Sequence, residues 1–274
     1  MFMFDFHVHT DFSEDSSAKM EDVIKGAIKA GLKEMCFTDH MDYDFGGVGL
    51  DSDYFLFDIE EYFAQIANYK EKYKDDISIK IGIELGLQPH ILELCSKDIQ
   101  SYPFDFAIAS IHTLERIDLV SKKYFENKTQ KQAYEIYFKD LLYIVNNFND
   151  YNVLGHVDII KRYGGYDSIL PLSEYYDIVE AILKKAIENG KGIEINTSGI
   201  RYKLGDYHPS QDIVKLYHQL GGEIITMASD AHSPQYIGYD FKNVLNYLKD
   251  IGFKYINSFD KMNPVFHKID DLLI

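Results

Sequence analysis

Seven short runs of β-forming residues, each divided from the next by a longer helical pattern, constrain this chain more than any other feature. The runs span residues 1–6, 34–38, 77–83, 104–110, 153–155, 193–196 and 223–229. Between them, residues 20–30, 59–73, 130–147, 175–189 and 212–220 repeat apolar side chains at three- and four-residue spacing, the period of an amphipathic helix. Strand and helix alternating from end to end is the pattern of parallel βα units, because a parallel neighbour needs a crossover long enough to hold a helix. Asn189 with Gly190, and Leu220 with Gly221 and Gly222, supply helix stops ahead of the next strand. A length of 274 residues suits one α/β barrel, so a single domain over 1–274 is the expectation.

Composition narrows the partners. Acidic residues outnumber basic ones 44 to 28, and the formal charge of -16 repels phosphodiester backbones and anionic membranes unless a basic patch is concentrated somewhere, and none is evident. Neither a nucleic acid nor a membrane is therefore an expected partner. The two cysteines, Cys36 in an apolar run and Cys95 in a helical stretch, form no CxxC pair and are expected as buried free thiols. Absence of a disulfide framework, of a basic leader before MFMFDF and of a stretch of roughly 20 apolar residues places the expected location in the cytoplasm.

Chemistry is concentrated where the runs end. His7 and His9 close the first run, Asp39 and His40 the second, Glu84 the third, His112 the fourth, His156 the fifth, Asn196 the sixth, and Asp230 with His232 the seventh. One such residue alone is more often a hydrogen-bonded turn residue than a ligand. Six of the ten histidines falling at these positions is a different matter, because parallel strands in a barrel bring their C-terminal ends to one mouth. Strand side chains alternate, so residues two apart, as in His7-Val8-His9 and in Asp230 with His232, face one side and can grip one ion. Imidazole and carboxylate together suit zinc, manganese or iron, and without cations so many buried polar groups would go unpaired. Nine candidate ligands, His7, His9, Asp15, His40, Glu84, His112, His156, Asp230 and His232, imply two or three divalent ions, with Glu84 on the middle strand placed to bridge a pair.

The blocks DFHVHTDFSEDS, FTDHMD, GIELGL, ASIHT, GHVDIIKRYG, EINTSG and MASDAH, in this order along nearly the whole chain, resemble the polymerase and histidinol phosphatase (PHP) family. The resemblance implies a distorted seven-stranded (β/α) barrel, TIM-like, with a trinuclear metal site at the C-terminal ends of its strands. By motif it assigns His7, His9, Glu84 and Asp230 to a first metal, Glu84, His112 and His156 to a second, and Asp15, His40 and His232 to a third. Many relatives carry a histidine where this chain has Asp15, and an oxygen donor there makes the third site harder. Within the family, GHVDIIKRYG and EINTSGIRYKLGDYHPS most resemble the branch that hydrolyses histidinol phosphate in histidine biosynthesis. That branch implies a small phosphomonoester substrate, with Arg162 and Arg201 on its phosphate; guanidinium beside a metal site also suits phosphate on chemical grounds. Glu115, in the loop after the fourth run, is the candidate partner for a substrate ammonium or imidazolium.

The expected reaction is attack on phosphorus by a hydroxide bridging the ions around Glu84, with Asp230 and His232 assisting and no separate general acid assigned. Two alternatives stay open: a PHP phosphoesterase for nucleotides, oligonucleotides or phosphotyrosine, and a non-catalytic metal-binding module. His90, His208, His218 and His267 lie off the strand-end pattern and are expected to be structural or superficial, and no tyrosine is nominated. Residues 41–57 and 113–128 are the expected active-site loops, and residues 266–274 an amphipathic tail on the barrel or on a second subunit; the oligomeric state is left open.

Overall fold

Each of the seven runs forms a strand in the computed structural model, which describes residues 3–273. They are β1 (Phe4–Val8), β2 (Glu34–Phe37), β3 (Ser78–Gly86), β4 (Phe106–Ser110), β5 (Val153–Leu154), β6 (Gly192–Asn196) and β7 (Ile225–Ala228). Met1 and Phe2 of the first expected run lie outside the described residues. The strands pair in parallel in sequence order. Helices between them bury one apolar face each: Met20, Val23, Ile24 and Ala27 on α1 (Met20–Lys29), for instance, and Val179, Ile182, Leu183 and Ala186 on the helix Tyr176–Glu188. Among the described residues no helix is long and apolar enough to cross a membrane.

Closure of the ring is local. Among the described residues, β1 and β7 meet through one parallel bridge, Val8 with Ala231, and through the bonds Asp230 N to His7 O (2.9 Å) and His9 N to Ala231 O (3.0 Å). The barrel is therefore drawn shut at its C-terminal mouth, beside the His7, His9 and Asp230 side chains. A register shift between Asp5 and Val8 in the β1–β2 pairing bends the chain just where it carries His7. His40–Met41 adds a two-residue strand on β3, in register with Glu84 and Leu85.

Two stretches depart from expectation. Residues 266–268 are strand, not an amphipathic tail: β8 (Tyr255–Asp260) and β9 (Asn263–Lys268) form an antiparallel hairpin, and only Ile269–Leu272 is helical; Ile274 lies outside the described residues. The hairpin turn has Lys261 and Met262 at positive φ, 48° and 64°, a geometry normally signalled by Asn-Gly, so its sequence hides it. The loop 113–128 contains a small hairpin, Thr113–Leu114 with Ile117–Asp118, and a 3-10 turn Lys123–Phe125. Cys36 and Cys95 are buried and unbonded, as expected.

The β8–β9 hairpin covers the end of the barrel opposite the mouth. Phe259 packs on Phe106 (ring centroids 4.6 Å) and Phe6 (6.2 Å), and Asn257 accepts from Ile225 N at the start of β7. Phe259 is 1% exposed. Phe259→Ala leaves a cavity beside β1 and β4 and is expected to cost about 3–5 kcal/mol. In urea this reads as a lower midpoint with an unchanged slope; a midpoint within error of the parent would show that the hairpin does not support the barrel.

Candidate metal centre

The ends of β1 to β5 and β7 bring eight side chains together around Glu84. Its carboxylate has no solvent exposure. Oε2 lies 3.0 Å from His7 Nε2, 3.0 Å from His40 Nδ1 and 3.4 Å from His9 Nε2. Oε1 lies 2.9 Å from His156 Nε2 and 3.3 Å from His112 Nε2, and accepts from Ser110 Oγ at 2.6 Å. Asp230 Oδ1 is 3.4 Å from His9 Nε2, 3.5 Å from His232 Nδ1 and 3.9 Å from His7 Nε2. At the rim, Asp15 reaches His232 Nε2 (3.3 Å) and His40 Nε2 (3.7 Å).

The outer ring of polar residues settles which imidazole nitrogen faces inward. Glu194 accepts from His7 Nδ1 at 2.7 Å, Asp42 from His112 Nδ1 at 2.6 Å, Ser13 Oγ from His9 Nδ1 at 3.0 Å and the Asp230 carbonyl from His232 Nδ1 at 3.2 Å. A proton held at Nδ1 leaves the Nε2 lone pair aimed at the centre, the usual arrangement of a metal-binding histidine. Ser13 is itself fixed by donating to Asp39 at 2.7 Å, and Glu194 also accepts from His156 N and from Asn196 Nδ2. A side chain at Gly86 would place its Cβ 2.2 Å from Asp42, so the glycine is what lets Asp42 reach His112.

His7 Nε2, His9 Nε2, His40 Nδ1 and Glu84 Oε2 are buried and have no hydrogen-bond partner. Leaving such atoms unpaired costs about 1–3 kcal/mol each, so their convergence fits a cation. Three groups have ligand atoms within 4.8 Å of one another: His7, His9 and Asp230; His40, Glu84 and His112; His9, His40 and His232. Local electrostatics suits this. Burial and the neighbouring His232 and His40 hold His9 well below the usual imidazole range, keeping it neutral. Burial opposes charge on Glu84, but His7, His40 and His112 outweigh it and hold it well below the usual carboxylate range.

The centre opens into a cleft of about 190 Å³, floored by Asp15, His40, His112, His156, Asp230 and His232. Arg162 lines it, with its guanidinium carbon 3.4 Å from the centre of the Tyr202 ring. Phe45, Phe55, Leu119, Val120, Ile159 and Tyr163 complete the wall. Arg201 does not line the cleft: it donates to the carbonyls of Ser229 (3.1 Å) and Asp230 (2.8 Å), bracing the turn in which Asp230 adopts a φ of 53°. Glu115 also lies off the cleft, half exposed in a hairpin turn and paired with Lys128 at 3.0 Å.

Sequence reasoning passed over Glu194, Asp42 and the aromatic wall. Glu194 had a signal, since it sits two residues before Asn196 on the same strand face. Asp42 stands two residues past His40, and Tyr163 and Tyr202 each follow an arginine already singled out. Of the histidines set aside, His90 pairs with Asp44, and His208 is fully buried. His208 donates from Nδ1 to Asp158 (3.0 Å); Asp158 also takes Lys161 Nζ (2.8 Å) and Ser210 N (2.9 Å), and His208 pairs through its backbone with Asn196. This buried network ties the segment after β6 to the segment that carries His156 and Arg162.

Comparison with known proteins places these features in context. The PHP domain family model matches residues 5–198. The histidinol-phosphatase of Lactococcus lactis (strain IL1403) is 32% identical over 264 residues, covering 94% of each chain. A protein of Clostridium acetobutylicum named "probable histidinol-phosphatase" is 32% identical over 253 residues, covering 92% of this chain and 95% of that one. The crystal structure of histidinol phosphate phosphatase from Lactococcus lactis, complexed with zinc, L-histidinol and phosphate, matches with a TM-score of 0.86 at 32% identity, covering 96% of this chain and 98% of that one.

The buried network makes stability depend on pH. Burial and the nearby Lys161 charge push His208 down from 6.5 to about 4. The unfolded chain takes up a proton between these values and the folded chain refuses it. The stability held by this group is thus complete above pH 6.5 and is lost as pH falls from 6.5 towards 4, about 3 kcal/mol in all. Denaturation midpoints measured across that window should fall more steeply for the parent than for His208→Gln; parallel curves would rule His208 out as the source.

Proposed function

The chain belongs to the PHP domain family, and from that membership we propose that it is a metal-dependent phosphomonoesterase that hydrolyses L-histidinol phosphate to L-histidinol and phosphate. One observation carries the reading: five imidazole nitrogens from the ends of β1, β2, β4 and β5 converge on one buried glutamate, and those of His7, His9 and His40 have no hydrogen-bond partner there. The unit we propose is the whole of 1–274, because β7, beyond the segment matched by the family model, leads into Asp230 and His232.

As metal ligands we propose His7, His9, Asp15, His40, Glu84, His112, His156, Asp230 and His232, holding two or three divalent ions. Zinc is the ion in the Lactococcus lactis complex, and manganese or iron suits the same donors. Divalent cations held here supply positive charge for the phosphoryl oxygens and lower the pKa of water from 15.7 to about 7. They also reverse the local field of a chain whose formal charge is -16.

This chain's own residues do the rest. Glu84 joins the two halves of the cluster through its two oxygens. Arg162, held flat against Tyr202, contacts the phosphate with a planar pair of donors and balances charge that shifts during transfer. Arg201 acts one step back, holding the Ser229–Asp230 backbone so that the Asp230 carboxylate meets His7 and His9. Asp42 and Glu194 keep protons on the outer nitrogens of His112 and His7. The cleft's size suits a small ester, and its acidic surroundings disfavour oligonucleotides.

Phosphate release from histidinol phosphate, a nucleotide, a phosphotyrosine peptide and an aryl phosphate tests the proposal, with chelator and with manganese or zinc restored. Preference for histidinol phosphate, abolished by chelation and regained with metal, is the expected result. Turnover of a different ester alone would overturn the substrate, and no turnover with metal fully loaded would overturn the enzyme reading. Glu84→Gln should lower kcat/KM by about a thousandfold or more together with bound metal, whereas Arg162→Met should raise KM by about tenfold or more with metal content unchanged. Metal analysis beside steady-state kinetics separates the two.

A further inference from the structure

Phe55 lines the cleft in a backbone conformation that a phenylalanine rarely adopts. Its φ is 62°, in the left-handed region where a bulky side chain is strained and glycine is free. The backbone is nevertheless tied down there, because the Phe55 carbonyl accepts from Asp42 N at 3.0 Å. The ring stacks on Phe45 (4.1 Å between centroids, 21° between planes) and stands edge-on to His40 at 5.8 Å. It thus forms the aromatic wall that borders the metal-site floor. Strain retained beside a candidate site points to use of the group it positions.

Placement in the ring decides what that wall faces. Phe55 belongs to the segment after β2 and Arg162 to the segment after β5, three strands apart in a ring of seven, so the two stand across the mouth from each other. An ester with its phosphate at Arg162 and the cluster directs the organic part of its alcohol towards Phe55. Aromatic faces favour planar rings and cations over small aliphatic groups. We propose that Phe55, braced by Phe45, is a specificity-determining residue whose ring takes the planar heteroaromatic end of the leaving alcohol. This rests on the phosphomonoesterase reading above.

The test compares kcat/KM for L-histidinol phosphate with that for 2-aminopropyl phosphate, which keeps the ammonium and the ester and lacks the ring. Phenyl and ethyl phosphate form a second such pair. The metal-loaded full chain, Phe55→Ala, Phe55→Gly and Phe55→Tyr are measured together. The ring-to-ringless ratio should fall about tenfold in both Phe55→Ala and Phe55→Gly, through KM, and return in Phe55→Tyr. Phe55→Gly relieves the backbone, so a fall shared with Phe55→Ala cannot come from strain or misfolding.

An unchanged ratio, or equal losses on both members of a pair, would overturn the role of Phe55. Parent enzyme that cleaves histidinol phosphate with no preference over 2-aminopropyl phosphate would overturn it too, and leave the proposed function standing. Inert histidinol phosphate beside an active phenyl phosphate would sink that function, and the phenyl-to-ethyl ratio in the variants would still decide the wall. No cleavage of any ester overturns both.

Discussion

A carboxylate sealed from solvent and approached by five imidazole nitrogens within 3.4 Å is the constraint around which this molecule is built. Burying Glu84 alone would be expensive, and surrounding it with neutral nitrogen lone pairs only adds unpaired acceptors. Positive charge has to enter, from protons or from metal. Outer partners hold a proton on the far nitrogen of His7, His9, His112 and His232, which leaves the inner nitrogens as the atoms open to a cation. The centre is organised for metal before any metal arrives.

That organisation reaches back into the barrel. β3, at nine residues, is the longest of the seven strands and carries Glu84 in the interior; its neighbours deliver His112 from one side and His40 from the other. Among the described residues, ring closure occurs beside the centre, where β1 and β7 bring His7, His9 and Asp230 together. The opposite end is covered by Phe259 of the added hairpin. Polar order at one end and apolar packing at the other thus divide the work of keeping the strands in a ring.

The candidate ligands and the walls of the cleft come from different parts of the chain. The ligands stand at or just after strand ends, where backbone hydrogen bonds fix their position. The walls, Phe45, Phe55, Leu119, Val120 and Tyr202, come from segments with irregular backbone. The candidate metal centre is therefore rigidly placed, and the walls of its cleft belong to loops that can change without disturbing it.

Much of this was legible in the residues. Short β-forming runs between helical patterns identified the strands, and because parallel strands in a barrel end at the same mouth, His7, His9, His40, Glu84, His112, His156, Asp230 and His232 could be grouped from the sequence. Other features follow from tertiary contact alone. Arg201 lies as near a strand end as Arg162, yet it turns to the Ser229 and Asp230 carbonyls, and Glu115 turns outward to Lys128. Spacing along a chain says which end of a barrel a residue occupies and not which way a long side chain swings. Likewise Phe55 reads as an ordinary loop apolar, and the hairpin turn at Lys261 and Met262 lacks its customary residues. Local periodicity determined the elements and the ligand set, because both repeat with the backbone; the second layer, the aromatic wall and the roles of the two arginines were decided by packing between segments far apart in sequence, for which no local pattern exists.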